Sequence, residues 1–167
     1  MQNHEIVIRP MCEKDHDFVL KTNLDNVEFL SPMEKPRMLK LAEMTELFLI
    51  AEMDGQPAAF LMAMSDGADG YDSENYRWFS SRYEKFLYID RVAIAEPFRH
   101  QGIGKKLYEA VFEHAKRINV PFVTCEVDII PYNAISLSFH KSLGFHEVGT
   151  QHVEFNNVTV SMLEAMV

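Results

Sequence analysis

Cysteine is scarce: the 167 residues contain only Cys12 and Cys125. The two share no Cys-x-x-Cys or metal-like spacing. This excludes a disulfide-stapled scaffold, gives no reason to expect a metal, and fits small buried thiols in a reducing compartment. Basic charge is also short, with 16 Lys and Arg against 25 Asp and Glu and a formal net charge of −9. Nucleic acid is therefore not expected as a partner, because phosphate backbones are held by clustered Lys and Arg. No apolar run approaches the roughly 18 residues of a membrane-spanning helix, so no membrane partner is expected. The opening MQNHEIVIRP lacks the apolar core of a signal peptide, which makes the cytoplasm the expected compartment. Internal repeats and low-complexity segments are missing too, and the length suits one domain over residues 1–167 with one substantial core.

What is present reads as an alternation of strands and helices. EIVIRP (5–10) alternates and is β-branched, as a first strand does. Residues 15–45 read as two helices broken near Ser31-Pro32, with Asp15 or Asp17 as a cap. LFLIAEM (47–53) and QPAAFLMAMS (56–65) flank Asp54-Gly55, a pair suited to the positive φ values of a tight hairpin turn. KFLYIDRVAIA (85–95) and PFVTCEVDI (121–129) read as strands around a helix over 102–118, whose Ile103, Leu107, Ala110, Val111, Ala115 and Ile118 share a face. Asn133 caps a further helix over 134–143, Gly144 suits its C-terminal end, and two last strands flank Asn156-Asn157. The expected fold is α+β: a mixed, mostly antiparallel sheet of about seven strands with about four helices and one parallel crossover.

The segment FRHQGIGKKLYEA (98–110) is the densest in chemistry. Gly102 and Gly104 precede a helix, where free N–H groups and the helix dipole favour an anion. A dinucleotide fingerprint would need a third glycine, and that position is Leu107. Read as R-x-x-G-x-G, the loop resembles the acyl-CoA signature (Q/R-x-x-G-x-G/A) of the GNAT superfamily of N-acetyltransferases. NAISLSFHKSLGF (133–145) resembles that superfamily's later motif, N-x-x-S/A-x-x-F/Y-Y-x-x-x-G-F. GYDSENYRWF and CEV further resemble a bacterial branch of it. The resemblance covers nearly the whole chain.

The resemblance implies acetyl-CoA as co-substrate and transfer of its acetyl group to an amine. It implies that the pantetheine arm pairs with the backbone of Val92, Ala93 and Ile94. The pyrophosphate then meets the loop Arg99, His100, Gln101, Gly102, Ile103, Gly104 and Lys105, while Asn133 and Phe139 border the rest of CoA. Asn133 has an equal reason to exist as a cap, and Phe139 as core. The family's usual tyrosine, which protonates the departing thiolate, is replaced by His140; Tyr132, Tyr108 or solvent are the alternatives. The amine must lose a proton first, since an alkylammonium has a pKa of about 10.

Asp90 and Glu126, carboxylates inside apolar strands, are the candidates for that base. An Asp90–Arg91 pair is not expected, because strand neighbours face opposite ways; Arg9 or Arg99 would be the partners. The long connection 66–83 is the expected acceptor contact, through Tyr71, Asp72, Glu74 and Trp78, since acidic groups and aromatic faces suit a cationic amine. A homodimer contact or a lid on the core would use the same residues. The acceptor is expected to be a small-molecule or peptide amine. A non-catalytic acyl-CoA-binding sensor or regulatory module is the alternative that His140 leaves open.

Overall fold

The computed structural model describes residues 2–167. Seven strands form one mixed sheet: β1 (Ile6–Pro10), β2 (Leu47–Met53), β3 (Gln56–Ser65), β4 (Leu87–Ile94), β5 (Phe122–Ile130), β6 (His146–Val153) and β7 (Val158–Met166), hydrogen-bonded in the order β1-β2-β3-β4-β5-β7-β6. Five helices accompany it: α1 (His16–Leu24), α2 (Lys35–Met44), α3 (Glu74–Ser80), α4 (Ile103–Arg117) and α5 (Ala134–Ser142). By contact the chain divides into two compact units, Met1–Met64 with Asp90–Glu113, and Ser65–Ile89 with His114–Val167.

In the first unit, β1, β2 and β3 form an antiparallel meander. Its tight hairpin is set by Asp54 at φ 51° and Gly55 at φ 80°, the left-handed pair a two-residue turn requires. β3 is buried along most of its length because Ala58 to Met64 carry no polar side chain and pack on both faces. Val19 of α1, Met38 and Leu41 of α2, and Ile103, Leu107 and Val111 of α4 complete this core. Asp15 does not cap α1 with its side chain. Its carboxylate is instead clamped by Arg9, with Nη1 and Nη2 2.7 and 2.8 Å from its two oxygens, and accepts the Cys12 N–H. Arg9 also binds Glu52 at 2.6 Å, so its guanidinium serves these two carboxylates.

In the second unit, β7 pairs along its length with β5 and with β6, both antiparallel. The parallel pairing of β4 with β5 matches Leu87 with Val123 and Tyr88 with Thr124. α3 is the element beyond the expected four helices, and it lies inside the 66–83 connection. Ser73 starts it by accepting the Tyr76 N–H at 3.1 Å. Tyr76 and Phe79, three apart on one face, turn into an aromatic cluster with Tyr71, Phe86 and Tyr88. A polar-looking stretch is thus ordered by its rings.

Candidate active site

The donor loop begins where β4 ends. A 3₁₀ turn over Glu96–Phe98 leads to His100 at φ 63° and Gly102 at φ 83°, and α4 starts at Ile103. Two left-handed residues so close together fold the backbone into a concave bend ahead of the helix. Ile103 and Leu107 are buried and anchor the helix start, whereas Arg99, His100, Gln101, Gly102 and Lys105 are exposed. Arg99 is tethered: its Nε donates to the Ile94 carbonyl at 3.2 Å and its Nη2 to Asn26 Oδ1 at 3.0 Å. The Ile94 carbonyl, at the end of β4, is therefore already engaged. Ala93 is buried, and Val92 and Ile94 are half-buried.

Asp90 departs from expectation. Arg91 is its partner, with Nε 2.6 Å from Oδ2, and both side chains are under 10% exposed. Alternation along a strand governs Cβ directions, but a guanidinium on a long flexible stem can turn back over the strand. Its other nitrogens are fixed by Asn23 Oδ1 at 2.9 Å, by the Ser31 carbonyl at 3.1 Å and by Ser31 Oγ at 3.1 Å. Neither Arg9 nor Arg99 is needed as partner.

Glu126 is brought together with a residue that sequence reasoning missed. Tyr88 Oη donates to Glu126 Oε1 at 2.9 Å from a fully buried ring. Burial and the neighbouring carboxylate push the Tyr88 phenol well above its ordinary range. Asp128, two residues along β5, was also missed; burial raises its carboxyl above the ordinary value. The alternation Thr124, Glu126, Asp128 was the available signal, since these share a strand face. Thr124 is fully buried and its hydroxyl has no hydrogen-bond partner among the described residues.

His140 is buried rather than solvated, edge-on to Phe139 and Phe145. Desolvation lowers its pKa. A carbonyl accepts only, so the 2.7 Å bond between Nδ1 and the Ser136 carbonyl places the neutral ring's proton on Nδ1. That proton is committed, and protonating a thiolate would require the imidazolium that burial disfavours. Of the alternative acids, Tyr108 is fully buried and Tyr132 is 70% exposed. Asn133 Oδ1 accepts the Ser136 N–H at 3.2 Å as an N-cap, and Phe139 is half-buried.

The 66–83 connection separates its acids from its rings. Asp69, Asp72 and Glu74 are exposed, while Tyr71 is buried in the aromatic cluster. Trp78 is half-buried. The Arg82 guanidinium stacks on it at 3.7 Å, and it lies so close to Gly149 that a Cβ there would fall 2.5 Å from Trp78 Cζ2. A groove of about 540 Å³ runs along α5 past Tyr132, Leu137, Lys141, His146 and Ser161; none of the residues assigned to CoA or the acceptor lines it. Among the described residues no cluster of His, Cys, Asp and Glu could hold a metal. No helix among them is long and apolar enough to cross a membrane.

The order of the sheet, the parallel pairing of β4 with β5 and the glycine bend before α4 define an α+β N-acyltransferase-type fold. The model of the acetyltransferase (GNAT) family matches residues 17–145, and the chain belongs to that family. Solved structures agree on the fold. Ard1 from Thermoplasma volcanium superposes with a TM-score of 0.79 at 18% identity, covering 97% of this chain and 97% of that one. The ribosomal-protein-S18-alanine N-acetyltransferase from Escherichia coli gives 0.72 at 15% identity, over 98% and 94%. The NatC complex bound to Gag peptide and CoA gives 0.74 at 19%, over 98% and 99%. No curated protein sequence matches significantly.

Proposed function

We propose that the protein moves an acetyl group from acetyl-CoA to the amine of a small molecule or peptide by direct transfer. The observation that carries this reading is the left-handed Gly102 immediately ahead of α4, with exposed Arg99 and Lys105 beside it. That bend offers backbone N–H groups, a helix N-terminus and fixed positive charge to a pyrophosphate. In this reading the pyrophosphate sits over Gln101 to Lys105, and the pantetheine arm follows the backbone of Val92 and Ala93.

Glu126 is the better of the two base candidates. Asp90 is bound to a guanidinium that also ties it to Asn23 and Ser31, which suits holding the fold. Glu126 faces a neutral phenol instead. It takes the ammonium proton, the neutral amine attacks the thioester carbonyl, and the tetrahedral oxyanion collapses with loss of the CoA thiolate. His140 positions α5, and the thiolate takes its proton from solvent.

The test is thiol release from acetyl-CoA with a panel of amines that includes an alanine-terminated peptide, read beside acetyl-CoA binding by calorimetry. Release that depends on one amine supports transfer. Tight binding with no release across the panel would favour an acyl-CoA-binding module, and absence of binding would sink the reading of the loop.

A further inference from the structure

Two tyrosines of the aromatic cluster in the second unit dispose of their hydroxyls differently. Tyr76 Oη is satisfied by backbone: it donates to the Ser65 carbonyl at 2.8 Å and accepts the Ala68 N–H at 3.0 Å. Tyr88 Oη donates instead to a carboxylate, Glu126 Oε1, at 2.9 Å. The Tyr88 ring is fixed from several sides, with the ring centroids of Tyr71, Tyr76 and Phe79 at 6.3, 5.6 and 5.8 Å. Its hydroxyl is therefore a donor at a set place, and burial keeps its proton on.

Tyr88 sits opposite Thr124 in the parallel pairing, and Glu126 is two residues further along β5 on the same face. Glu126 is half-buried. A long side chain there has several rotamers, and a fixed donor selects the one that meets it. A donor also favours the charged form of the carboxylate that accepts from it. A carboxylate has about four lone-pair sites, so accepting from Tyr88 leaves it able to take a proton from an ammonium. Other titratable groups surround it. On β5, Cys125 precedes it and Asp128 lies two along, both raised by burial. On β7, Met162 is its partner, and Glu164, two along, is held by Tyr83 and His146. On β4, Asp90 is paired with Arg91.

We propose that Tyr88 is a positioning residue for acetyl transfer, its fixed hydroxyl holding the Glu126 carboxylate in one rotamer and in its charged form until the ammonium arrives. The inference rests on Glu126 acting as the base. The ammonium N–H bond breaks as the Glu126 O–H bond forms, and solvent later takes that proton. Tyr88 keeps its own proton throughout and acts only through Glu126. A protonated carboxyl can still accept a hydrogen bond, so the bond from Tyr88 need not break in the step. Removing the Tyr88 oxygen alone leaves the base present but loosely held and harder to ionise.

The experiment uses the full chain with a carbon-13 label in its glutamate carboxyl groups, the Glu126 signal being assigned by its loss in Glu126→Gln. Tyr88→Phe keeps the ring and its packing. It should move the Glu126 titration to higher pH and carry the acidic limb of the kcat profile with it. With acetyl-CoA and the better of 2-phenylethylamine and an alanine-terminated peptide, it should lower kcat about tenfold at unchanged acetyl-CoA KM, the scale of one hydrogen bond to a charged group. Glu126→Asp keeps the charge but draws it back from the hydroxyl by one methylene, so adding Tyr88→Phe to it should cost little more. Tyr76→Phe removes a hydroxyl from the same cluster and should lower the melting temperature without moving the Glu126 titration. A Glu126 titration and acidic limb left in place by Tyr88→Phe overturn the positioning role, as does the same tenfold loss in the Glu126→Asp background. Full activity in Glu126→Gln overturns the base reading instead, and is read independently of the Tyr88 variants.

Discussion

Asp90 and Arg91, successive residues of β4, form a buried ion pair with Nε 2.6 Å from Oδ2. Losing one partner of such a pair leaves a charge without its counter-ion and typically costs about 3–5 kcal/mol. Arg91→Leu should destabilise by that order, measured by denaturant unfolding. Asp90→Asn should lower stability while leaving the pH profile of the rate unshifted. A displaced acidic limb in that variant would return Asp90 to the chemistry.

The donor loop makes a second prediction. A side chain at φ 83° is strained by about 1–2 kcal/mol. Gly102→Val should therefore weaken acetyl-CoA binding in calorimetry while the rest of the fold, read by circular dichroism, persists. Arg99→Ala should weaken binding roughly tenfold, on the scale of a charged hydrogen bond, and the loss should shrink as salt rises.

Trp78 and Gly149 make a third. A methyl group 2.5 Å from Trp78 Cζ2 cannot be accommodated without moving the ring. Gly149→Ala should cost about 1–3 kcal/mol, in the range of overpacking. Trp78→Ala should destabilise in its own right, and the double variant should lose less than the two single losses added together. A raised acceptor KM with stability intact would point to substrate contact at Trp78 instead.

His140 makes a fourth, in pH. Its folded-state pKa lies below the unfolded value of about 6.5. The folded chain binds fewer protons there than the unfolded chain does, so stability from neutral His140 is present above about pH 6.5 and is lost as pH falls below it. The melting temperature of His140→Phe should fall less steeply between pH 7 and pH 5 than that of the parent. Acetyl-CoA affinity and kcat should be nearly unchanged; a large drop in kcat would restore the acid role.

Local chemistry explains which parts of this were legible in the sequence. Asp54-Gly55, the Asn133 cap and Gly144 at φ 93° each meet a backbone requirement within a few residues, so the elements around them could be placed. α3 escaped because it is seven residues long, too short for a periodic stripe, and its signal was the Ser73–Tyr76 cap among polar neighbours. The Asp90–Arg91 pair escaped because alternation describes where a side chain leaves the strand, not where a long one ends. Tyr88 escaped because its role depends on a parallel register, Tyr88 opposite Thr124, that no single segment encodes. Gly149 carries no local turn signal, and its reason lies in Trp78, far away in sequence.

The two bonds that hold Arg99, to the Ile94 carbonyl and to Asn26, bear on the thermodynamics of donor capture. An arginine free in solution gives up rotational entropy when it closes on a phosphate. Here much of that ordering is complete once the chain has folded, so the loss is charged to folding and not to association. Asn26, assigned no contact with the donor itself, thereby becomes a determinant of how tightly the donor is held.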